Sequence, residues 1–594
     1  MYTIQDIHKQ FAESFPINEI KPFAYLLSKR IQEGHICISV NDVLNNPELP
    51  YEVMSLPDFN SLSTMVSDHE NANTPFVLHD NNLYFQRYFK YETEIIKLIN
   101  EKIETGKSSF EDRKKQLENQ RSVISELLAD NDLMGLDEAE KVDWQLIAAI
   151  RSLLYDFSII TGGPGTGKTK TLSKILRILY AIEPDAKIAL AAPTGKASMR
   201  MFESLRESAK DFPTDVVEKI NKLQPSTIHV LLGYIKDSVY FKHNAQNRLP
   251  HDWVIVDEAS MIDVPMFAKL MSALGKHTRI ILLGDKDQLA SVEAGSLLGD
   301  LCQPMGRTNH LSQHEAEWIN TFIGDKEREI SSSFISSEIY LLAGFITELK
   351  LSHRFKALGE IGRLSRCIIG NKKQELQEMI DNSSSPEIVF DQEYDNNLFE
   401  EFIKGYDEFL SEADIKEALK KLNKLRVLVT VREGKRGLYE INKKIETILQ
   451  QKRKINKDKE FYINRPVIIT RNNYELGLLN GDVGIIRPDK DNQPRAWFED
   501  GESPDGIRGI LPAYINDCET VFAMTIHKSQ GSEFNNVMVV LPDDKENKLL
   551  TSELIYTGVT RAKKQVIIQG KKDTLLTGAG KTVQRGSGLQ KRLK

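Results

Sequence analysis

Residues 157–171 read FSIITGGPGTGKTKT. Phe157–Thr161 is short, apolar and partly β-branched, the composition of a strand buried on both faces. Gly162-Gly163-Pro164-Gly165-Thr166-Gly167-Lys168-Thr169 follows, and Leu172, Ile175, Leu176 and Leu179 then recur at helical spacing. Strand, glycine-rich loop and helix are the setting that G-x-x-x-x-G-K-[ST] requires; a glycine turn with a chance Lys-Thr has no need of it. Backbone N–H groups of such a loop can turn inward around a phosphate, and the helix N-terminus adds positive potential. Lys168 is expected to reach the β and γ phosphates, and the Thr169 hydroxyl to ligate Mg²⁺. The cofactors expected are therefore ATP and Mg²⁺.

Outward from this loop, the neighbouring runs read as strands and helices of one α/β unit. Upstream, Asp143-Trp144-Gln145 precedes a helical LIAAI. A glutamine there can read adenine N6 and N7, although most glutamines are surface polar groups. Downstream, three apolar runs end in polar loops, which is where open parallel sheets bind ligands. Lys187–Ala192 leads to Pro193-Thr194-Gly195-Lys196, either a plain βα turn or a phosphate contact for a nucleic-acid strand. Trp253–Asp257 ends in Asp257-Glu258. Below a P-loop, such a pair places one carboxylate on Mg²⁺ and the other on the attacking water. Thr278–Leu283 leads to Gly284-Asp285-Lys286-Asp287-Gln288, whose glutamine can sense the γ-phosphate. Ser226-Thr227-Ile228-His229 reads as a helix cap, or as a DNA-facing loop in a helicase. Arg354 in LSHRF and Arg561 in YTGVTRAKK are candidate arginine fingers, which stabilise charge on a transferring phosphoryl group.

The rest of the chain is read more coarsely. Its 594 residues suggest several domains. A net charge of −7 removes any global basic footprint, so DNA contact must come from local grooves. Cys37, Cys302, Cys367 and Cys518 form no C-x-x-C pair, which gives zinc and iron–sulfur readings no support and suits a reducing, cytoplasmic setting. The first residues carry no signal pattern, and no apolar run approaches the ~18 residues of a membrane span. Pro22–Gln32 is expected to be helical, Thr74–Tyr88 to be strand, Asp80-Asn81-Asn82 turn and strand, and Glu92–Ile103 to be helical. Residues 105–120 suit a linker or solvated helix, and 305–345 an irregular surface excursion. Residues 461–520 contain short β-type runs between Asn-Gly, Asp and Pro turns, a β-barrel-like insertion. The segment Lys581–Lys594 has five basic residues and no acidic one, and is expected to be a solvated patch.

GGPGTGKT, VIVDEAS, GDKDQLASVEAG, LSHRF, TIHKSQGSEF and YTGVTRAKKQ occur in that order. Together they resemble superfamily 1 DNA helicases, and within them the RecD branch, the alpha subunit of exodeoxyribonuclease V (the RecBCD complex). The resemblance extends to LYFQRY, PTGKA, VREGKRG, RPVIITRNNYELGLLNGDVGI and RGSGL. HKSQGSEF favours the B branch, which moves 5′ to 3′, over relatives that typically carry AKGLEF.

The resemblance implies an α/β fold of two RecA-like P-loop domains with parallel sheets, a small N-terminal α+β domain and an SH3-like β insertion in the second motor domain. The implied boundaries are 1–110 for partner contact, 111–348 for the first motor domain, 349–460 with 521–594 for the second, and 461–520 for the insertion. It implies adenine contact by Gln145, phosphate and metal contact by Lys168 and Thr169, metal at Asp257, water at Glu258, the γ-phosphate at Gln288, and fingers Arg354 and Arg561. Pro193, Thr194, His229, Thr525, His527 and Lys528 are implied to line a single-strand groove. The expected activity is ATP-dependent 5′–3′ unwinding of DNA ends beside RecB-like and RecC-like subunits in a heterotrimer, with the nuclease in a partner. A stand-alone RecD-like helicase is the alternative; those usually carry helix–hairpin–helix elements in a longer N-terminal region, not recognised here.

Overall fold

The computed structural model describes the chain except for residues 1–5, 71–72, 129–133, 135, 237, 292, 303–307, 337–341, 353–358, 383–384, 474, 502, 504, 584 and 594. Arg354 therefore lies outside the described residues.

The N-terminal unit is a four-stranded sheet of Cys37–Ser39 (β1), Val66–Ser67 (β2), Phe76–His79 (β3) and Asn82–Phe85 (β4), in the order β1-β4-β3-β2. β3 and β4 pair antiparallel through Asp80 and Asn81, both at positive φ, the conformation a tight hairpin needs. The helix Lys21–Gln32 buries Phe23, Leu26 and Leu27 in this unit's core. The next helix, Gln86–Lys107, turns away from it. Its Ile95, Ile99 and Ile103, spaced by four, pack into the core of the following sheet. Lys102 Nζ donates to the carbonyls of Gly275 and Thr278 at 2.6 Å each, and burial lowers its pKa to about 8. The first α/β lobe thus carries a helix of the N-terminal segment as its outer layer.

That lobe is a six-stranded, all-parallel sheet. Its strands are Phe157–Thr161 (β5), Ile188–Ala192 (β6), Pro225–Thr227 (β7), Trp253–Val256 (β8), Arg279–Gly284 (β9) and Ile346–Glu348 (β10), in the order β10-β5-β9-β8-β6-β7. Both faces are covered, so alternate residues enter opposite cores: Ile159, Val254 and Ile280 one, Ile160, Ile255 and Ile281 the other.

The second lobe repeats the plan. Ile388–Asp391 (β11) and Leu425–Val429 (β12) come first. The chain then leaves for Pro466–Ile469 (β13), Val483–Pro488 (β14), Pro494–Glu499 (β15), Ile507–Ile510 (β16) and Cys518–Thr520 (β17). It returns with Ala523–Thr525 (β18), Phe534–Val540 (β19) and Ala562–Gln569 (β20). The order β11-β20-β19-β12-β18 is all parallel, and the excursion β16-β15-β14-β13-β17 is all antiparallel around Val467, Ile486 and Phe498.

Residues 110–119 form a largely solvated helix, one of the two readings of 105–120; it buries Arg113 and Leu117, and Arg113 Nη2 lies 2.6 Å from buried Asp156. Two expectations fail here, each because an amphipathic face was hidden by polar composition. Within 305–345, Gln313–Ile323 is a helix whose Ile319, Phe322 and Ile323 enter the first lobe's core. The C-terminal segment is packed against the rest of the molecule rather than being a wholly solvated patch. Leu589 and Leu593 are buried beside Ile36 and Ile95. Arg585 Nη1 donates to the carbonyls of Glu293 (3.0 Å) and Gly295 (2.7 Å). The Gly586 N–H donates to His35 Nδ1 at 2.8 Å. Fully buried Glu92 accepts from Ser587 Oγ (3.0 Å) and the Gly588 N–H (2.9 Å), and pairs with Arg592 at 3.4 Å. The segment is a strap joining the second lobe, the first lobe and the N-terminal unit.

Candidate active site

β5 delivers its carboxyl end to the glycine-rich loop, and Lys168 is the first residue of the helix Lys168–Ile182. The N-cap, Gly167, sits at φ +84°, which side chains with a Cβ avoid. Pro164 and Gly165 form the loop's outer turn. Thr166 Oγ1 donates back to the Gly163 carbonyl at 2.8 Å and closes it. Lys168 Nζ donates to the Gly162 carbonyl at 2.6 Å, so the ammonium is folded back over the loop. Gln145 is buried and its Nε2 donates to the Thr166 carbonyl at 3.0 Å. It borders a small recess with Asp143, Trp144 and Leu349.

The facing wall comes from the ends of β8 and β9. Asp257 accepts the Glu258 N–H at 2.8 Å. Burial pushes the Asp257 carboxyl up to about 6, with the Glu258 carboxylate adding to it and Lys168 opposing. Glu258 holds φ +52°, a strained conformation for a residue with a Cβ and one that recurs at functional sites. Gln288 Nε2 donates to Asp285 Oδ2 at 3.0 Å, and its Oε1 is buried with no hydrogen-bond partner among the described residues.

The second lobe closes this cavity. Arg561 borders it while held by its own lobe: Nε donates to the Thr557 carbonyl at 3.1 Å and Nη1 to the Ser532 carbonyl at 3.2 Å. Tyr556 donates to Asp285 Oδ2 at 3.0 Å, and a Cβ on Gly163 would sit 2.9 Å from its hydroxyl. The Leu289 N–H donates to Thr557 Oγ1 at 3.0 Å, and Gln530 Nε2 to the Leu289 carbonyl at 2.9 Å. The cavity is about 300 Å³ and is bordered by Lys168, Thr169, Asp257, Glu258 and Gln288 on one side and by Glu533 and Arg561 on the other.

These residues fit a nucleoside triphosphate with a hard cation. The loop is tight enough that a Cβ at Gly163 would strike Tyr556, and the orphaned Gln288 Oε1 can meet a ligand or a water. Among the described residues no cluster of three His, Cys, Asp or Glu can hold a metal. A Mg²⁺ ion here would take Thr169 and Asp257 and complete its shell from phosphates and water, its usual habit.

Sequence reading missed Asp285, Tyr556, Thr557 and Gln530 at this site. GDKDQ offered Asp285, but no spacing rule tells which of its carboxylates a tyrosine more than 250 residues away will meet.

The predicted DNA contacts divide. Pro193, Thr194 and His229 border one cavity of about 240 Å³, with Asp263, Ser291 and Gln530. Burial lowers the His229 pKa, so its imidazole is neutral near pH 7. Thr525, His527 and Lys528 do not border it. Thr525 is buried and its Oγ1 accepts the Lys528 N–H at 3.3 Å. Lys528 Nζ lies 3.5 Å from Glu519, which partly neutralises it. His527 is half-buried, its pKa lowered by burial and then by Arg585. No described helix is long and apolar enough to cross a membrane.

Comparison with known proteins adds an independent line. The AAA domain family matches residues 145–294, and the UvrD-like helicase C-terminal domain matches 520–569. The chain is 34% identical to the RecBCD enzyme subunit RecD of Haemophilus influenzae, over 89% of this chain and 82% of that one. It is also 34% identical to the RecBCD enzyme subunit RecD of Mycolicibacterium smegmatis, over 76% and 74%. Similarity to the ATP-dependent RecD2 DNA helicase of Deinococcus radiodurans is 24% over 69% of this chain and 46% of that one.

Proposed function

The chain belongs to the RecD family of RecBCD enzyme subunits, ATP-dependent DNA helicases of superfamily 1, and we propose that it is the 5′-to-3′ motor of a RecBCD-type helicase–nuclease. In this reading it works in the cytoplasm in a heterotrimer with RecB-like and RecC-like subunits, on double-stranded ends and the single strands drawn from them. Cutting belongs to a partner.

What carries the reading is one cavity bordered by residues of two separate parallel sheets. Lys168 leaves the Gly162 carbonyl to hold the β and γ phosphates. Thr169 and Asp257 would hold Mg²⁺, which when bound would supply neutralisation of phosphate charge. Glu258 orients the attacking water and accepts its proton. Gln288 links that water to Asp285 and, through Asp285, to Tyr556 of the other lobe. Arg561, with Arg354 as the second finger the sequence offers, stabilises the transferring phosphoryl group; such a finger accounts for about 10³–10⁵ in rate. Arg561 borders the cavity while its Nε and Nη1 are held by the Thr557 and Ser532 carbonyls, so its reach toward the phosphate depends on how one lobe seats on the other. Gln145 reads the adenine edge. Pro193, Thr194 and His229 grip the strand from the first lobe, with Thr525, His527 and Lys528 following from the second. Alternate grip by the two lobes converts closure into translocation.

The test is strand displacement on forked DNA bearing only a 5′ or only a 3′ tail, with and without the purified partners. Unwinding from the 5′ tail, robust only in the assembly, is expected. Unwinding from the 3′ tail overturns the polarity, and a processive lone chain overturns the subunit reading in favour of a stand-alone helicase.

A further inference from the structure

The helix Gly195–Ser208 of the first lobe runs along the nucleotide cavity and places Arg200 on its rim. Arg200 has no part in the sequence pattern around the P-loop, and as a helix arginine it would ordinarily be solvated. Its guanidinium instead spans the cleft. Nη1 donates to the Gly531 carbonyl at 2.6 Å, and Nη2 pairs with the Glu533 carboxylate. Lys563 reaches the same Glu533 oxygen at 3.0 Å. Two prongs of one planar group therefore hold a carbonyl and a carboxylate two residues apart, which fixes the orientation of the turn as well as its distance. Ala197, one turn earlier on the helix, lies 3.7 Å from where a Cβ on Gly531 would stand, so helix and turn are in contact.

The residue between these two anchors is Ser532, whose carbonyl accepts from Arg561 Nη1. One three-residue turn is thus gripped from the first lobe by Arg200 and bound from within the second lobe by the finger. We propose that Arg200 is a positioning residue for ATP hydrolysis, which docks the turn Gly531–Glu533 on the first lobe and thereby sets Arg561 against the cavity. The inference rests on the finger assignment made above. An exposed ion pair would contribute little to stability. Here the Glu533 side chain is only 16% exposed and Arg200 36%, and the second prong is a charge-assisted bond to backbone. The arrangement suits registration of two lobes more than general stability.

The test is a double-mutant cycle on DNA-stimulated ATP hydrolysis by the assembled complex, with Arg200→Ala, Arg561→Ala and both. Arg200→Ala is expected to lower kcat about tenfold while KM for ATP changes less than about threefold. The double variant is expected to be no slower than Arg561→Ala alone, because a finger already removed cannot be mispositioned. Arg200→Lys keeps the charge and stem but loses the fork, and is expected to fall between Ala and the parent; it also serves if Arg200→Ala does not fold. Wild-type kcat in Arg200→Ala, or losses that multiply in the double variant, overturns the positioning role. Normal kcat in Arg561→Ala alone overturns the finger assignment instead, so the two failures are distinguishable.

Discussion

The nucleotide cavity and the C-terminal strap are built from the same materials, charged and polar side chains withdrawn from water, and are finished in opposite ways. In the cavity each group is held by one or two bonds it can exchange. Lys168 rests on a loop carbonyl, Arg561 on two carbonyls of its own lobe, and Gln288 leaves Oε1 without a partner among the described residues. At the strap the charges are committed. Glu92 has a hydroxyl, a backbone N–H and a guanidinium. A buried charge costs several kcal/mol unless it is compensated. Compensation that must move belongs to a working site, and compensation that stays belongs to a joint.

The largest effect should come from the cavity. Lys168→Gln is expected to lower DNA-stimulated ATPase activity by about 10³-fold or more and to leave the thermal unfolding midpoint within a degree or two of the parent. A variant that hydrolyses ATP normally would remove Lys168 from the site and dissolve the contrast from the side of chemistry.

The strap should answer to stability alone. Glu92→Ala strands Arg592 and the Ser587–Gly588 turn, and is expected to destabilise the junction by about 3 kcal/mol, read as a lower unfolding midpoint. kcat at a temperature where the variant is folded should match the parent. A tenfold loss of kcat without loss of stability would place the strap in the catalytic machinery.

The smallest effect is one of pH. Burial pushes the Asp300 carboxyl up to about 7; the Glu92 carboxylate adds to this, while Ser587, Gln590 and Arg585 oppose it. Because the folded chain holds this proton more tightly than the unfolded one, the stabilisation is complete below the ordinary aspartate pKa, near ~4. It is lost as pH rises through about 7. The midpoint of the parent relative to Asp300→Asn should therefore fall between pH 5 and pH 8. Parallel curves over that window would show that Asp300 titrates alike in both states.

Legibility followed the range of the interactions. The P-loop was plain in 157–171 because a phosphate cradle is local: strand, glycines and helix must be consecutive. Asp257 and Glu258 were plain because the strand that carries them is apolar to its last residue. The hairpin at Asp80-Asn81 was plain because its turn needs positive φ from those two residues. The helix Gln313–Ile323 was passed over although Ala316, Ile319 and Ile323 mark its face, since the polar residues around them outnumber the face. The strap was misread by counting charge. Five basic residues with no acidic neighbour in sequence look solvated, yet Glu92, the partner of Arg592, lies 500 residues away.

By itself the sequence determined the parallel α/β lobes, the antiparallel insertion, and the place of the glycine loop and acidic pair at strand ends, because each is written in consecutive residues whose backbone or burial demands are local. Only the tertiary structure decided that Tyr556 meets Asp285, that Arg200 reaches Glu533, and that Arg592 meets Glu92. The worth of a buried charge depends on a partner that the chain brings near only when it folds, and no local pattern records that partner.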